Sequence, residues 1–198
     1  MDQPAAADPA ERRFLFLLGS TRHQGNSELL ARHAAAQLPA GTAQRWLHLG
    51  DLPLPPFSDE RHGDTGYPEP TGHLRTLLDA TLDATDLVIV SPLYWYSVTT
   101  SVKHYLDHWS GWLRVPGVDF RARMNGRTLW AITAMADEDP ALADPLAGTL
   151  RTSGSYLGMR WGGLLLGNGS KPGQVLDDTA ALRRAETFFA TAPAPVPA

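Results

Sequence analysis

The chain has 198 residues, 43% hydrophobic and 19% charged, the balance of one soluble globular domain with a sizeable core. Its 17 Lys and Arg against 21 Asp and Glu give a net charge of −4 with no basic stripe, which argues against a nucleic-acid partner. With no cysteine it lacks disulfides, thiolate nucleophiles, Cys-ligated zinc and iron–sulfur clusters, so redox chemistry would require a bound organic cofactor or another kind of metal site.

No apolar run approaches the ~18 residues of a membrane span, and the acidic, Pro-containing start lacks the cationic and apolar regions of a signal peptide. The cytoplasm is the expected location and no membrane partner is expected. Residues 1–12 and the Ala/Pro alternation of 191–198 are expected to be disordered tails around one domain, 13–190.

Within that domain short apolar runs alternate with stretches of helical period. The first strand is predicted over Arg13 to Leu18, followed by a helix with Leu30, Ala34 and Leu38 on one face. Arg45 to Leu49 reads as the second strand. A proline-rich loop from Leu52 to Pro70 is too long for a mere connector and is a candidate lid or subunit contact. Thr71 can cap a second helix with Leu74, Leu77, Leu78 and Leu82 as its buried stripe, and Leu87-Val88-Ile89-Val90 is the clearest buried strand.

Val102, Tyr105, Leu106 and Trp109 then define a third helix beginning near Thr99, with Thr128 to Thr133 as the fourth strand. Asp139-Pro140 has the form of a cap with Pro at the first helical position, ahead of Leu142, Leu146, Leu150 and Leu157. Trp161 to Gly167 reads as the last strand, and Asp178 opens a final helix carrying Leu182, Ala185 and Phe189. Five strands alternating with five helices imply an α/β fold with a parallel sheet covered on both faces. Right-handed crossovers allow the strand order 2-1-3-4-5, whose first and third strands send their connections to opposite faces and leave a ligand cleft between them.

The loop after the first strand, Gly19-Ser20-Thr21-Arg22-His23-Gln24-Gly25-Asn26-Ser27, suits an anion, because a glycine-broken strand feeding a helix presents unpaired N–H groups at the positive end of a dipole. A mononucleotide P-loop is excluded, since five residues separate Gly19 from Gly25 and Asn26 stands where Lys should be. A dinucleotide fingerprint is excluded because Ser20-Thr21-Arg22 supplies no second glycine. What remains suits one terminal phosphate, with Ser20, Asn26 and Ser27 as neutral donors and Arg22 as the cation; Asn26 could instead cap the helix.

The loop after the third strand reads Ser91-Pro92-Leu93-Tyr94-Trp95-Tyr96-Ser97. Three successive aromatics on a Pro-fixed backbone suit a planar ligand, or else close the core or meet another subunit. An anion loop beside a flat loop points to a mononucleotide-like cofactor.

Gly19-Ser20-x-Arg22-x-x-Gly25-Asn26-Ser27, Pro92-x-Tyr94-Trp95-Tyr96-Ser97 and Lys103-x-x-Leu106-Asp107 together resemble the NADPH-dependent FMN reductases and the related NAD(P)H:quinone oxidoreductases of the flavodoxin-like superfamily. The resemblance implies a flavodoxin-like three-layer sandwich and places Ser20, Arg22, Asn26 and Ser27 on the FMN phosphate. Pro92, Leu93, Tyr94 and Trp95 would lie on the isoalloxazine, with Tyr96 and Ser97 close behind. Lys103 and Asp107 fall at mainly structural positions of the family's helix that buttress the loop or the subunit contact, and His108 stands where the family usually has Arg. After the fourth strand, where relatives often have glycines, this chain has Thr133-Ala134-Met135-Ala136-Asp137.

The implied activity is transfer of electrons from NADPH or NADH through FMN to a quinone, a flavin or a nitro- or azo-aromatic by ping-pong turnover. It is expected to run in a homodimer or homotetramer and to need no catalytic acid, base or nucleophile of the protein. The competing readings are an FMN electron carrier without NAD(P)H activity and a flavin-free binding module of the same fold. No metal is expected: His104 and His108 share a helix face but lack the intervening Glu of a metalloprotease helix. The Asp137-Glu138-Asp139 cluster reads as a helix start, and no Gly-x-Ser-x-Gly turn supports hydrolase chemistry.

Overall fold

A computed structural model describes residues 12–63, 66–191 and 193. Five strands, β1 (Arg13–Leu18), β2 (Ala43–His48), β3 (Asp86–Val90), β4 (Thr128–Met135) and β5 (Arg160–Asn168), form one sheet in the order β2-β1-β3-β4-β5. Every pairing is parallel. The helices are α1 (Asn26–Ala35), α2 (Gly72–Asp83), α3 (Thr100–Trp112), α4 (Phe120–Met124), α5 (Asp144–Tyr156) and α6 (Thr179–Thr187).

The alternation of side chains along a strand divides the core in two. Leu15, Leu17, Leu87, Ile89, Leu129 and Ala131 face one side, where they meet residues of α2, α3 and α5. Phe14, Phe16, Val88, Val90, Trp130 and Ile132 face the other, against α1 and α6. This two-sided burial explains why β3 and β4 read as unbroken apolar runs, with all their residues buried. β1 pairs with both β2 and β3, and its two neighbours are reached over opposite faces, so the cleft expected of this order opens at the C-terminal edge of β1 and β3. The fold is the flavodoxin-like three-layer sandwich.

Several boundaries differ from the sequence expectation, each for a local reason. Asp139 does cap, accepting from the Ala141 N–H, but it caps a 3-10 turn over Pro140–Ala143; the helix proper begins at Asp144 with Pro145 in its first turn. α4 escapes periodicity because it has only five residues, and it is held by two buried anchors, Phe120 and Met124. Thr71 occupies the cap position of α2 without a side-chain bond to it. β5 carries a bulge where its register slips opposite Leu129 and Trp130, and Gly162 is required there because a Cβ would fall 2.2 Å from the Trp130 ring.

The expected tails lie largely outside the described residues, but Arg12, assigned to the first of them, belongs to the fold. Its guanidinium pairs with the buried Asp86 carboxylate at 2.6 Å and donates to the Phe189 carbonyl at 2.8 Å. Asp86 also accepts from the Trp130 indole N–H at 2.9 Å and the Thr85 hydroxyl at 2.8 Å. A buried carboxylate on a strand needs such partners, and the cation comes from the residue before β1.

Candidate functional site

Two loops far apart in sequence share one wall at the sheet's C-terminal edge. The Gly19 N–H continues the β1–β3 ladder by donating to the Val90 carbonyl at 2.8 Å. A Cβ on Gly19 would lie 2.3 Å from Val102 and 2.8 Å from the Thr99 hydroxyl, so the bare glycine lets the first turn of α3 press onto the β1–α1 loop. The Ser101 hydroxyl closes the contact with a 2.9 Å bond to the Gly19 carbonyl. On the other side Ala134, at the end of β4, donates to the Ser27 hydroxyl at 3.0 Å and accepts from the Leu93 N–H at 3.3 Å. Both predicted segments are therefore fixed through third parties, Gly19 to α3 and Ser27 to Leu93.

The β1–α1 loop is preorganised around its own backbone. Ser20, 9% exposed, accepts from the Arg22 N–H at 3.0 Å. Glu28, buried in the first turn of α1, turns back to accept from the Gln24 N–H at 2.7 Å and is held by Arg32 at 2.7 Å. Glu28 stands three places after the cap residue Gly25, the capping-box position, but its bond goes to the N–H of Gln24, one residue before the cap. The first helical bond runs from the Leu29 N–H to the Gly25 carbonyl. The N–H groups of Asn26, Ser27 and Glu28 precede it and have no intrahelical acceptor. Arg22 is exposed, and its guanidinium makes no hydrogen bond or ion pair among the described residues. Three N–H groups, the two hydroxyls of Ser20 and Ser27 and one uncommitted cation form a donor set that fits a phosphate.

Asn26 has a different task from the one the loop pattern suggests. Its amide nitrogen donates to the Gly169 carbonyl at 2.9 Å and the Lys171 carbonyl at 3.0 Å, so both hydrogens are spent on the β5–α6 loop. It does not cap α1 either; Gly25 holds that position. Ser27 is buried and its oxygen is engaged by Ala134, although the hydroxyl proton remains to be donated.

In the second loop Ser91 accepts from the Thr99 N–H at 3.0 Å and anchors the start of α3. Pro92, Leu93 and Ser97 are half-buried. Tyr94 and Ser97 exchange two backbone bonds of 3.1 Å across a tight turn whose central residues, Trp95 and Tyr96, take φ of 50° and 62°. Turns of this hand favour Asn-Gly, and two bulky residues in the left-handed region carry strain. The turn thrusts Trp95 outward, leaving it 92% exposed, with Tyr94 and Tyr96 at 42% and 51%.

A separate groove of about 600 Å³ lies beyond β4 and β5, bordered by Met135, Leu164, Leu166, Asn168 and Asp178. None of the predicted cofactor-binding residues lines it, and several of its polar groups are committed: Asp178 accepts from Asn168 and Ala181, and Arg184 donates to the Leu166 carbonyl. The two loops, with their unspent donors and aromatic turn, remain the candidate site. Sequence reasoning missed Glu28, Ser101 and Ala134, of which only Glu28 carried a local signal.

The family model described as NADPH-dependent FMN reductase matches residues 12–160. The Bacillus subtilis (strain 168) protein YwqN, named as an NAD(P)H-dependent FMN-containing oxidoreductase, is 28% identical over 172 residues, covering 86% of this chain and 93% of its own. Among solved structures, the Trp repressor binding protein from Bacillus subtilis superposes with a TM-score of 0.72 at 24% identity, over 89% of this chain and 97% of the other. An FMN-dependent NADH-azoreductase from Bacillus anthracis (strain Ames Ancestor), solved in complex with FMN, gives 0.59 at 17% identity, over 90% and 98%. These two likenesses support the fold.

Proposed function

The chain belongs to the NADPH-dependent FMN reductase family, and from that premise we propose that its FMN lies across the junction of the β1–α1 and β3–α3 loops. The phosphate end sits at the N-terminus of α1 on the Ser20 and Ser27 hydroxyls, the first-turn N–H groups and Arg22. Asn26, whose amide is spent on Gly169 and Lys171, holds the cradle's rear wall instead of the phosphate. Pro92, Leu93, Tyr94 and Trp95 border the ring, and Tyr96 and Ser97 complete the turn that positions them. The observation that carries this reading is the meeting of the two loops through Gly19, Ser101 and Ala134.

FMN bound there would supply the redox chemistry between reduced nicotinamide and an acceptor. The protein's part is to bind, to orient and to limit water. The Ser27–Ala134–Leu93 link fixes the distance between the phosphate donors and the ring wall, so the cofactor is held at both ends before substrate arrives. The exposed aromatic turn leaves an open face suited to flat acceptors of several kinds: a quinone, a flavin, or a nitro- or azo-aromatic. Nicotinamide and acceptor would use that face in turn, giving ping-pong kinetics. The same exposed aromatics favour a homodimer or homotetramer that covers them, and the cytoplasm is the proposed place of action.

The test is the visible spectrum of the purified chain. A flavin band that bleaches under anaerobic NADPH and returns on adding a quinone is expected; a protein that stays colourless after incubation with FMN would overturn the reading. Binding of FMN without steady-state NADPH oxidation would make it an electron carrier instead.

A further inference from the structure

His48 ends β2 beside the phosphate loop and has no role in the site described above. It is 9% exposed, and its Nδ1 accepts the Gly50 N–H at 3.1 Å, capping the 3-10 turn over Leu49–Asp51. A ring nitrogen that accepts from a backbone N–H carries no proton, so the proton of the neutral imidazole is on Nε2. That Nε2 is buried and has no hydrogen-bond partner among the described residues. Folding has stripped water from a donor and supplied nothing in its place.

The ring is covered by His23 of the β1–α1 loop. Their centroids are 4.1 Å apart with planes 26° from parallel, and the exposed Asp51 carboxylate lies 3.6 Å from the His23 Nε2. Each of the three residues has a ligand-type atom within 4.8 Å of the others, a spacing that invites a cation. The chemistry argues against one. The free nitrogen of His48 bears a proton, its lone pair is spent on Gly50, and imidazoles stacked this way send their lone pairs side by side rather than to a common point. The trio offers an oxygen-bearing ligand a donor, one position along the loop from the uncommitted Arg22.

We propose that the His48 Nε2–H binds an oxygen of a phosphate monoester beside the β1–α1 loop, with the exposed His23 turning aside to admit it. The identity of that monoester rests on the flavin reductase reading, which supplies two: the terminal phosphate of FMN and the ribose phosphate of NADPH.

Two substitutions separate a ligand donor from a structural cap. His48→Asn keeps an oxygen where Nδ1 accepts from Gly50 but lacks the distal donor; His48→Gln keeps a distal N–H but gives up the near acceptor. Affinities of the apoprotein for FMN and riboflavin are read from flavin fluorescence, and those of the FMN-loaded protein for NADP⁺ and NAD⁺ from calorimetry. His48→Asn is expected to weaken one phosphorylated member by about tenfold and leave its unphosphorylated counterpart unchanged. A loss on FMN identifies the flavin phosphate as the guest; a loss on NADP⁺ identifies the nicotinamide nucleotide. His48→Gln is expected to keep those affinities and melt at a lower temperature. The proposal is overturned if His48→Asn binds all four ligands as the wild type does, or weakens each pair equally. Should the wild type bind no flavin, the reductase reading fails separately, and calorimetry with inorganic phosphate decides the subsite: binding lost in His48→Asn upholds it, equal binding or none in the wild type overturns it.

Discussion

The Ser101 hydroxyl donates to the Gly19 carbonyl across 2.9 Å, joining residues 82 apart in the chain at the point where the two cofactor loops converge. The bond forms only because Gly19 has no side chain to hold α3 away.

Gly19→Ala would drive a methyl into Val102 and the Thr99 hydroxyl. The expected result is a loss of about 1–3 kcal/mol of stability from overpacking and a marked weakening of FMN binding as the loops part. Urea unfolding and flavin fluorescence check the two effects. Unchanged flavin affinity would mean that the junction does not shape the slot.

Arg22→Ala removes the cation from the phosphate loop while leaving its backbone bonds in place. FMN affinity should fall by about tenfold or more, with riboflavin affinity unaltered, because a hydrogen-bonded charge contributes roughly 1.5–3 kcal/mol. Parallel titration with both flavins measures the contrast.

Tyr96→Gly should raise stability by about 1 kcal/mol, since glycine takes φ of 62° without cost. The same change loosens the turn that presents Tyr94 and Trp95 to the ring and should weaken flavin binding. Gain in one property and loss in the other, followed by thermal melting and titration, would identify strain retained for the sake of the site.

The proline-rich loop is pinned to α3 by two imidazoles on one carbonyl: the Pro55 oxygen lies 2.8 Å from the His104 Nε2 and 3.0 Å from the His108 Nε2. Burial, with His104 nearby, holds His108 below the usual histidine range, against the opposing pull of its bond to Pro55 and of Asp107. A base depressed in the docked state favours docking in its neutral form. The contribution is present above the ordinary histidine pKa of about 6.5 and is lost as pH falls through the docked value. Tryptic cleavage after Arg61 should therefore accelerate on acidification, measured against a non-titrating substrate. His108→Gln, which keeps a donor for Pro55, should flatten the profile.

Asp86→Asn leaves Arg12 facing a neutral amide in a buried setting that also engages Trp130 and Thr85. The expected cost is about 3–5 kcal/mol, read by chemical denaturation, with flavin affinity preserved because the pair sits at the sheet's opposite end.

What the sequence disclosed depended on the range of the interaction. β1, β3 and the stripes of α2 and α3 are local patterns, and they were legible because burial on both faces writes itself as apolar runs and four-residue periods. The strand order is one that right-handed crossovers allow and that the family resemblance implied. The bonds of Asn26 could not be read, because its partners, Gly169 and Lys171, lie more than a hundred residues away and leave no trace beside it. Arg12 hid in a stretch of tail-like composition, since its value depends on Asp86 and Trp130. The turn at Trp95 and Tyr96 could not be read at all, because its residue types contradict the backbone they adopt.

The chain also carries its own reporter. Of its six tryptophans, Trp112 and Trp130 are sealed in the core, whereas Trp95 stands almost wholly in solvent at the tip of the candidate site. Iodide should quench the red edge of the indole emission selectively, and any flat guest or second subunit that settles on the tip should shield it. Occupancy of this one loop can thus be followed in the unlabelled protein.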